Sequence, residues 1–377
     1  MQHVRVVRAA RVITPDRQLA DGWVSFGGDR ILGVGEGDAP SGALAAGEAY
    51  DVLVPGFVDI HNHGGGGAGF ADGADAARTA RAAHLREGTT TLVASLVTDT
   101  IDRLLWQVRS LVPLVEAEEL AGIHLEGPWL APQWCGAHPP ELLTDADPSD
   151  VRALVAAAAG GLVMVTLAPE RKGAMGAIEL LCSQGVRVAI GHTDATYDQT
   201  RAAIAAGATV ATHLYNASRP PHHREPGPAP ALLEDPSVLV ESVVDGVHLH
   251  PAVVRATAQA AAQRWVLVTD AMAAALLGDG SSRLGRLAVD VVDGVARLRE
   301  GGSLAGSTLC LARAVRTAVE LGVPLPAAVR AATLAPASAL GRDDVGRLEP
   351  GCRADLVALG ADLQVRAVIR RGRWVER

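Results

Sequence analysis

Residues 56–63 read Gly-Phe-Val-Asp-Ile-His-Asn-His, an apolar run that closes on two imidazoles. A buried strand tolerates ionisable groups only where they are paired or bound to a metal, because desolvating them is costly. Apolar runs of this kind recur along the chain, at Gly56–Ile60, Thr91–Ser95, Gly122–Leu125, Val163–Leu167, Val186–Ile190, Thr209–Thr212, Val238–Val244 and Val266–Thr269. Stretches of helical spacing such as Ala74–Glu87 and Thr200–Ala206 lie between them. Eight continuous apolar strands alternating with helices fit a parallel sheet buried on both faces. A (β/α)8 TIM-like barrel is its natural closure, so the fold class is α/β.

Outside the barrel the texture changes. Val4–Val7, Gly22–Ser25 and Ile31–Val34 are β-prone pieces punctuated by Pro, Asp and Gly, and strand-like patterns return in ADLVAL and AVIRRGRWVE near the C-terminus. We expect residues 1–53 and 345–377 to form one small β-sandwich domain built from both termini, and residues 54–344 to form the barrel. The Pro-rich segment Pro220–Pro230 reads as a structured loop.

Composition narrows the function. The 377 residues carry 34 Lys plus Arg against 42 Asp plus Glu, a formal charge of −8. That balance argues against a nucleic-acid binder, which needs a basic patch. The longest apolar stretch, Ala153–Ala168, is broken by Gly160-Gly161 and falls short of the ~20 residues a membrane span requires. The first residues lack the apolar segment of a signal peptide. Cys135, Cys182, Cys310 and Cys352 are scattered with no CxxC pair, which reads as reduced thiols in a cytoplasmic protein.

Barrel active sites lie at the C-terminal ends of the strands. Six of the eight runs lead there into His, Asp or Glu: Asp59, His61 and His63; His124 and Glu126; His192 and Asp194; His213; Asp245 and His248; and Asp270. Imidazoles and carboxylates converging on one mouth suit Zn²⁺ or a related first-row ion. Taken singly, His124 reads as a hydrogen-bonded barrel histidine, on the same face as Glu126 two residues on. Asp194 reads as a helix N-cap.

The motifs PGFVDIHNHGGGG, HLEGPWL, GHTDATYDQT, THLYNA, HHREPG, DGVHLH, VTDAMAAA and LAGSTL, in this order, resemble the N-acetylglucosamine-6-phosphate deacetylase family of the amidohydrolase superfamily. The resemblance covers nearly the whole chain. It implies Glu126, His192 and His213 as the main metal ligands, and His61 with His63 as ligands of a second ion bridged through Glu126. The cofactor it implies is a divalent metal, one or two ions per subunit, with Zn²⁺ foremost and Fe²⁺, Co²⁺ or Mn²⁺ as alternatives.

The resemblance further implies Asp270 as the catalytic acid/base and His138, beside Ala137, as the contact to the substrate acetamido group. It implies Asn216, Ala217, Arg224 and His248 as sugar-phosphate contacts and Leu304, Ala305 and Gly306 as the lining of the sugar site. The partners it implies are an amino-sugar phosphate and a second copy of the chain, a homodimer sharing an arginine across the interface. The expected reaction is removal of the acetyl group from N-acetylglucosamine 6-phosphate.

Two alternatives stay open: an amidohydrolase for another N-acyl substrate (an N-acyl-D-amino acid or an unphosphorylated N-acetyl sugar), or a silent scaffold of the same fold. Lys172 is the only lysine, and it lies five residues past the fourth apolar run. That position is poor for Schiff-base chemistry or for a carboxylated-lysine metal bridge.

Overall fold

In a computed structural model of the chain, residues 4–45, 47 and 49–376 are described. Eight strands form the barrel: Phe57–Asp59, Thr89–Val97, Gly122–Glu126, Leu162–Leu167, Arg187–Ile190, Ala208–Ala211, Leu239–Val243 and Trp265–Val268. Each pairs in parallel with its neighbour in chain order. All eight coincide with the expected apolar runs to within two residues at either end. The reason is physical: strands covered on both faces must be apolar nearly throughout. Thr89–Val97, for example, is buried at every position.

The first and last strands close the circle beyond their own ends. The Asp270 N–H donates to the His61 carbonyl, and the His63 N–H donates to the Ala271 carbonyl. Helices pack outside, and their inner stripes, such as Leu104, Val108 and Leu111 of Ile101–Glu116, join the strands in one extended hydrophobic core. Among the described residues, no helix is long and apolar enough to cross a membrane.

Both termini build the second sheet, in which Arg5–Ile13, Gln18–Gly27, Arg30–Glu36 and Tyr50–Pro55 pair with Leu356–Leu359, Val365–Arg370 and Arg373–Trp374. It encloses its own apolar cluster, including Val24, Phe26, Ile31, Leu53 and Leu356. The strands run longer than the apolar pieces suggest, because exposed residues such as Arg5 and Asp21 alternate with buried ones.

Three features depart from the sequence reading. A three-stranded antiparallel meander, Gly280–Leu284, Leu287–Val292 and Val295–Leu298, is inserted after the eighth barrel strand. The Pro-rich loop ends at Gly227, where Pro228 opens the helix Pro228–Glu234, since proline is tolerated in a helix's first turn. Asp194 is no helix cap: Thr196 and Gln199 form a capping box on Tyr197–Ala205. Asp194 instead accepts from Trp134 Nε1 at 2.9 Å and from the Arg219 guanidinium at 2.8 and 3.0 Å.

Candidate metal centre and active site

Five barrel strands deliver the expected ligands to one mouth. Glu126 ends the third strand; His61 and His63 follow the first, His192 the fifth, His213 the sixth and Asp270 the eighth. The donor atoms fall into two buried triads, His61–His63–Asp270 and Glu126–His192–His213, each within 4.8 Å. Glu126 lies between them. Its Oε1 is 3.1 Å from His192 Nε2, 3.0 Å from His213 Nε2 and 3.5 Å from His61 Nε2, and its Oε2 is 3.2 Å from His63 Nε2. His192, His213 and Asp270 hold positive φ of 48°, 26° and 48°. Such conformations cost of order 1–3 kcal/mol each and concentrate at functional sites. Gly306, also left-handed, passes so close that a Cβ there would lie 2.7 Å from the Asp270 carbonyl oxygen.

Hydrogen bonding sorts the imidazoles by tautomer. His63 Nδ1 lies 3.2 Å from the Ser95 carbonyl, His192 Nδ1 2.8 Å from the Trp134 carbonyl and His61 Nδ1 3.1 Å from the Glu241 carboxylate. These oxygens only accept, so each Nδ1 carries the proton and each Nε2 offers a lone pair inward. The Nε2 atoms converge: those of His61 and His63 are 3.1 Å apart, and that of His192 is 3.2 Å from His213 Nε2, whose Nδ1 has no hydrogen-bond partner among the described residues. Converging lone pairs repel unless a cation sits among them. Nitrogen and carboxylate donors, with second partners on Nδ1 of His61, His63 and His192, fit a divalent first-row metal.

The electrostatics point the same way. Burial disfavours charge on His61 and His63, but Glu126, Glu241 and Asp270 outweigh it and raise both above the usual imidazole range. Burial likewise pushes Glu126 and Asp270 up, and the surrounding imidazoles outweigh it and hold both carboxyls well below their usual range. The centre therefore attracts positive charge.

His138 is built the opposite way. The Thr98 backbone N–H donates to its Nδ1 at 3.2 Å, which leaves the proton on Nε2, 3.4 Å from Glu126 Oε2. Burial, with His192 nearby, pulls its pKa down to about 4. It is a neutral N–H donor facing the mouth. His124 sits beneath, between Ser95 Oγ at 2.9 Å and Thr166 Oγ1 at 2.8 Å, and is the hydrogen-bonded barrel histidine expected.

A cavity of about 320 Å³ opens over these groups. His63, Glu126, Ala137, His138, His192, His213, Asn216, Ala217, His248, Asp270, Leu304 and Gly306 all line it. His61 lies fully buried behind His63. Two expected contacts stand apart. Ala305 is buried with Met272 and Ala296 behind the wall, its backbone N–H donating to the Ala296 carbonyl. Arg224 is exposed on its loop, against His223, and is not part of the wall.

Gln133, Trp134, Leu284 and Ser303 also line the cavity and escaped the sequence reading. So did Glu241, fully buried in the seventh strand. Its signal was available, because it is the one ionisable residue inside the run Val238–Val244. Lys172 is exposed.

A TIM-like barrel with a carboxylate between two histidine-rich triads defines a barrel metallohydrolase. Residues 52–375 match the Amidohydrolase family, and the chain belongs to it. It is 39% identical, over 98% of each chain, to an N-acetylgalactosamine-6-phosphate deacetylase of Escherichia coli O157:H7. It is 35% identical, over 99% of this chain and 95% of the relative, to an N-acetylglucosamine-6-phosphate deacetylase of Vibrio furnissii. A solved structure of a mutant N-acetyl-D-glucosamine-6-phosphate deacetylase from Mycobacterium smegmatis, in complex with N-acetyl-D-glucosamine-6-phosphate, superposes with a TM-score of 0.96 at 49% identity over all of both chains.

Proposed function

We propose that this chain is a metal-dependent deacetylase that hydrolyses N-acetylglucosamine 6-phosphate to glucosamine 6-phosphate and acetate. The observation that carries the reading is Glu126, a member of one ligand triad whose second oxygen lies 3.2 Å from His63 of the other, in a cavity that Asp270 and His138 also line. The full-length similarity to deacetylases of N-acetylhexosamine 6-phosphates supports the substrate.

Glu126, His192 and His213 would hold one divalent ion, and His61, His63 and Asp270 a second; the nitrogen-rich donors favour Zn²⁺. A divalent ion held there supplies Lewis acidity, which acidifies water and polarises an amide carbonyl. Asp270 takes the proton from the attacking water and passes it to the amine as the C–N bond breaks, leaving acetate and a free amino sugar. The His138 Nε2–H donates to the oxygen that becomes negative, a contribution of about 3 kcal/mol for one such donor.

Asn216, Ala217, Leu304 and Gly306 position the sugar, and His248 meets its phosphate. Arg224 is exposed and does not line its own cavity, which supports a homodimer in which it reaches the phosphate of the neighbouring site. Four free cysteines support a cytoplasmic location.

The name of the Escherichia coli relative favours a second reading, that the 4-epimer is also a substrate. Acetate release by metal-replete protein from N-acetylglucosamine 6-phosphate, N-acetylgalactosamine 6-phosphate and unphosphorylated N-acetylglucosamine tests both readings. Preference for the phosphorylated gluco sugar supports the first. Preference for the galacto form moves the assignment to the epimer, and equal rates on the unphosphorylated sugar overturn the phosphate site.

A further inference from the structure

Among the described residues, Glu241 is the one carboxylate of the barrel interior that touches both triads while belonging to neither. It is the third residue of the seventh strand, Leu239–Val243, and is wholly buried. One oxygen, Oε2, receives two donors: His61 Nδ1 at 3.1 Å, from the first triad, and the His213 backbone N–H at 3.2 Å, from the second. The other oxygen, Oε1, is buried and has no hydrogen-bond partner among the described residues. A carboxylate removed from water with half its acceptor capacity unused is expensive, unless positive charge stands close by to offset it.

The geometry identifies where that charge belongs. His61 Nδ1 faces Glu241, and its Nε2 faces the space it shares with His63 and Asp270. An imidazole that donates to a carboxylate through one nitrogen is a stronger base at the other. The same oxygen holds the His213 amide, and with it the left-handed turn that aims the His213 ring at Glu126.

We propose that Glu241 is the positioning residue that sets the tautomer and basicity of His61, and so makes the His61–His63–Asp270 triad a strong second metal site. The proposal rests on the two-ion reading of the centre. The Glu241 charge acts mainly on the ion of the His61–His63–Asp270 triad, because its contact to the Glu126–His192–His213 triad is only through the His213 backbone N–H, which a neutral carbonyl satisfies equally well.

The test is calorimetric titration of metal-free protein with Zn²⁺, for the wild type, Glu241→Gln and Glu241→Ala, with thermal unfolding of each metal-free form recorded alongside. The glutamine keeps an acceptor for both donors but removes the charge. Two binding steps are expected in the wild type. In Glu241→Gln the weaker step should fall by roughly 10–100-fold, the tighter step should hold, and the metal-free unfolding temperature should stay near the wild-type value. Glu241→Ala should weaken both steps, since the His213 amide is also released.

Two unchanged steps in a folded Glu241→Gln protein would overturn the proposal alone. Equal weakening of both steps in Glu241→Gln would also overturn it, by making the residue a general support of the mouth. A single step in the wild type would overturn the two-ion reading and the proposal with it.

Discussion

At the scale of single residues, the site separates ligands from donors by which imidazole nitrogen is occupied. His138 differs from His192 only in what meets Nδ1, a backbone N–H in one case and a carbonyl in the other. Replacing His138 with alanine should therefore lower kcat by about 100-fold, the typical cost of losing one oxyanion donor, while bound metal measured by atomic emission stays constant. Because burial holds His138 to about 4, it is neutral above that pH. Its own titration adds no limb to the rate profile between about pH 5 and 9.

Asp270→Asn should leave the fold intact and abolish turnover. Retention of more than about a tenth of the wild-type rate would remove Asp270 from proton transfer. Asp270 and the histidines and glutamate at the strand ends were legible in the sequence because a charged group at the end of an apolar strand is costly to bury and must be compensated by a partner or an ion. His138, on a loop, could be named only through the family resemblance. Glu241 carried the same signal of a costly buried charge inside its strand, but its role, like those of Ser95 and Thr98, arises only when distant strands bring an acceptor or an amide to a ring nitrogen. Arg224 could be named only through the family resemblance, because nothing in its exposed loop distinguishes it from a solvated basic residue.

At the scale of elements, the barrel strands were readable and the inserted meander was not. Double burial writes a strand as an unbroken apolar run, whereas Gly280–Leu284 reads GSSRL and is mostly exposed. That meander nevertheless brings Leu284 to the cavity.

The turn after the seventh strand makes a further prediction. There Asp245 accepts from the Val247 and His248 backbone N–H groups and from His248 Nδ1 at 2.7 Å. Burial pulls the His248 pKa down, but the Asp245 carboxylate outweighs it and the net shift is upward. A pKa raised on folding stabilises fully below the unfolded value of about 6.5, and the contribution is lost as pH rises through the folded value. Denaturant unfolding of wild type and His248→Asn should show a larger stability gap at about pH 6 than at pH 9. If the gap is the same at both, the ion pair contributes nothing through protonation.

At the scale of the whole molecule, the proposed homodimer, resting on an Arg224 that does not line its own cavity, predicts complementation between subunits. Arg224→Ala and Asp270→Asn, each inactive on phosphorylated substrate alone, should recover activity when co-expressed, because a mixed dimer restores one complete site. Recovery must be absent if each chain uses its own Arg224.

The closure of the barrel carries a consequence of another kind. The hydrogen bonds that join the first strand to the last run through His61, His63, Asp270 and Ala271, so the clasp of the hoop is made from its working parts. A cation held by residues from five strands tightens that clasp from inside. An ion at 100 times its dissociation constant adds about 2.7 kcal/mol to folding. Chelation should therefore lower the melting temperature and speed amide exchange first at the His63 and Asp270 N–H groups, ahead of interior strands such as Gly122–Glu126. A barrel that springs open at this point parts its histidine pair from its aspartate in the same event. A half-open chain is then inert rather than indiscriminate, and its loss of activity reports the first break in the hoop.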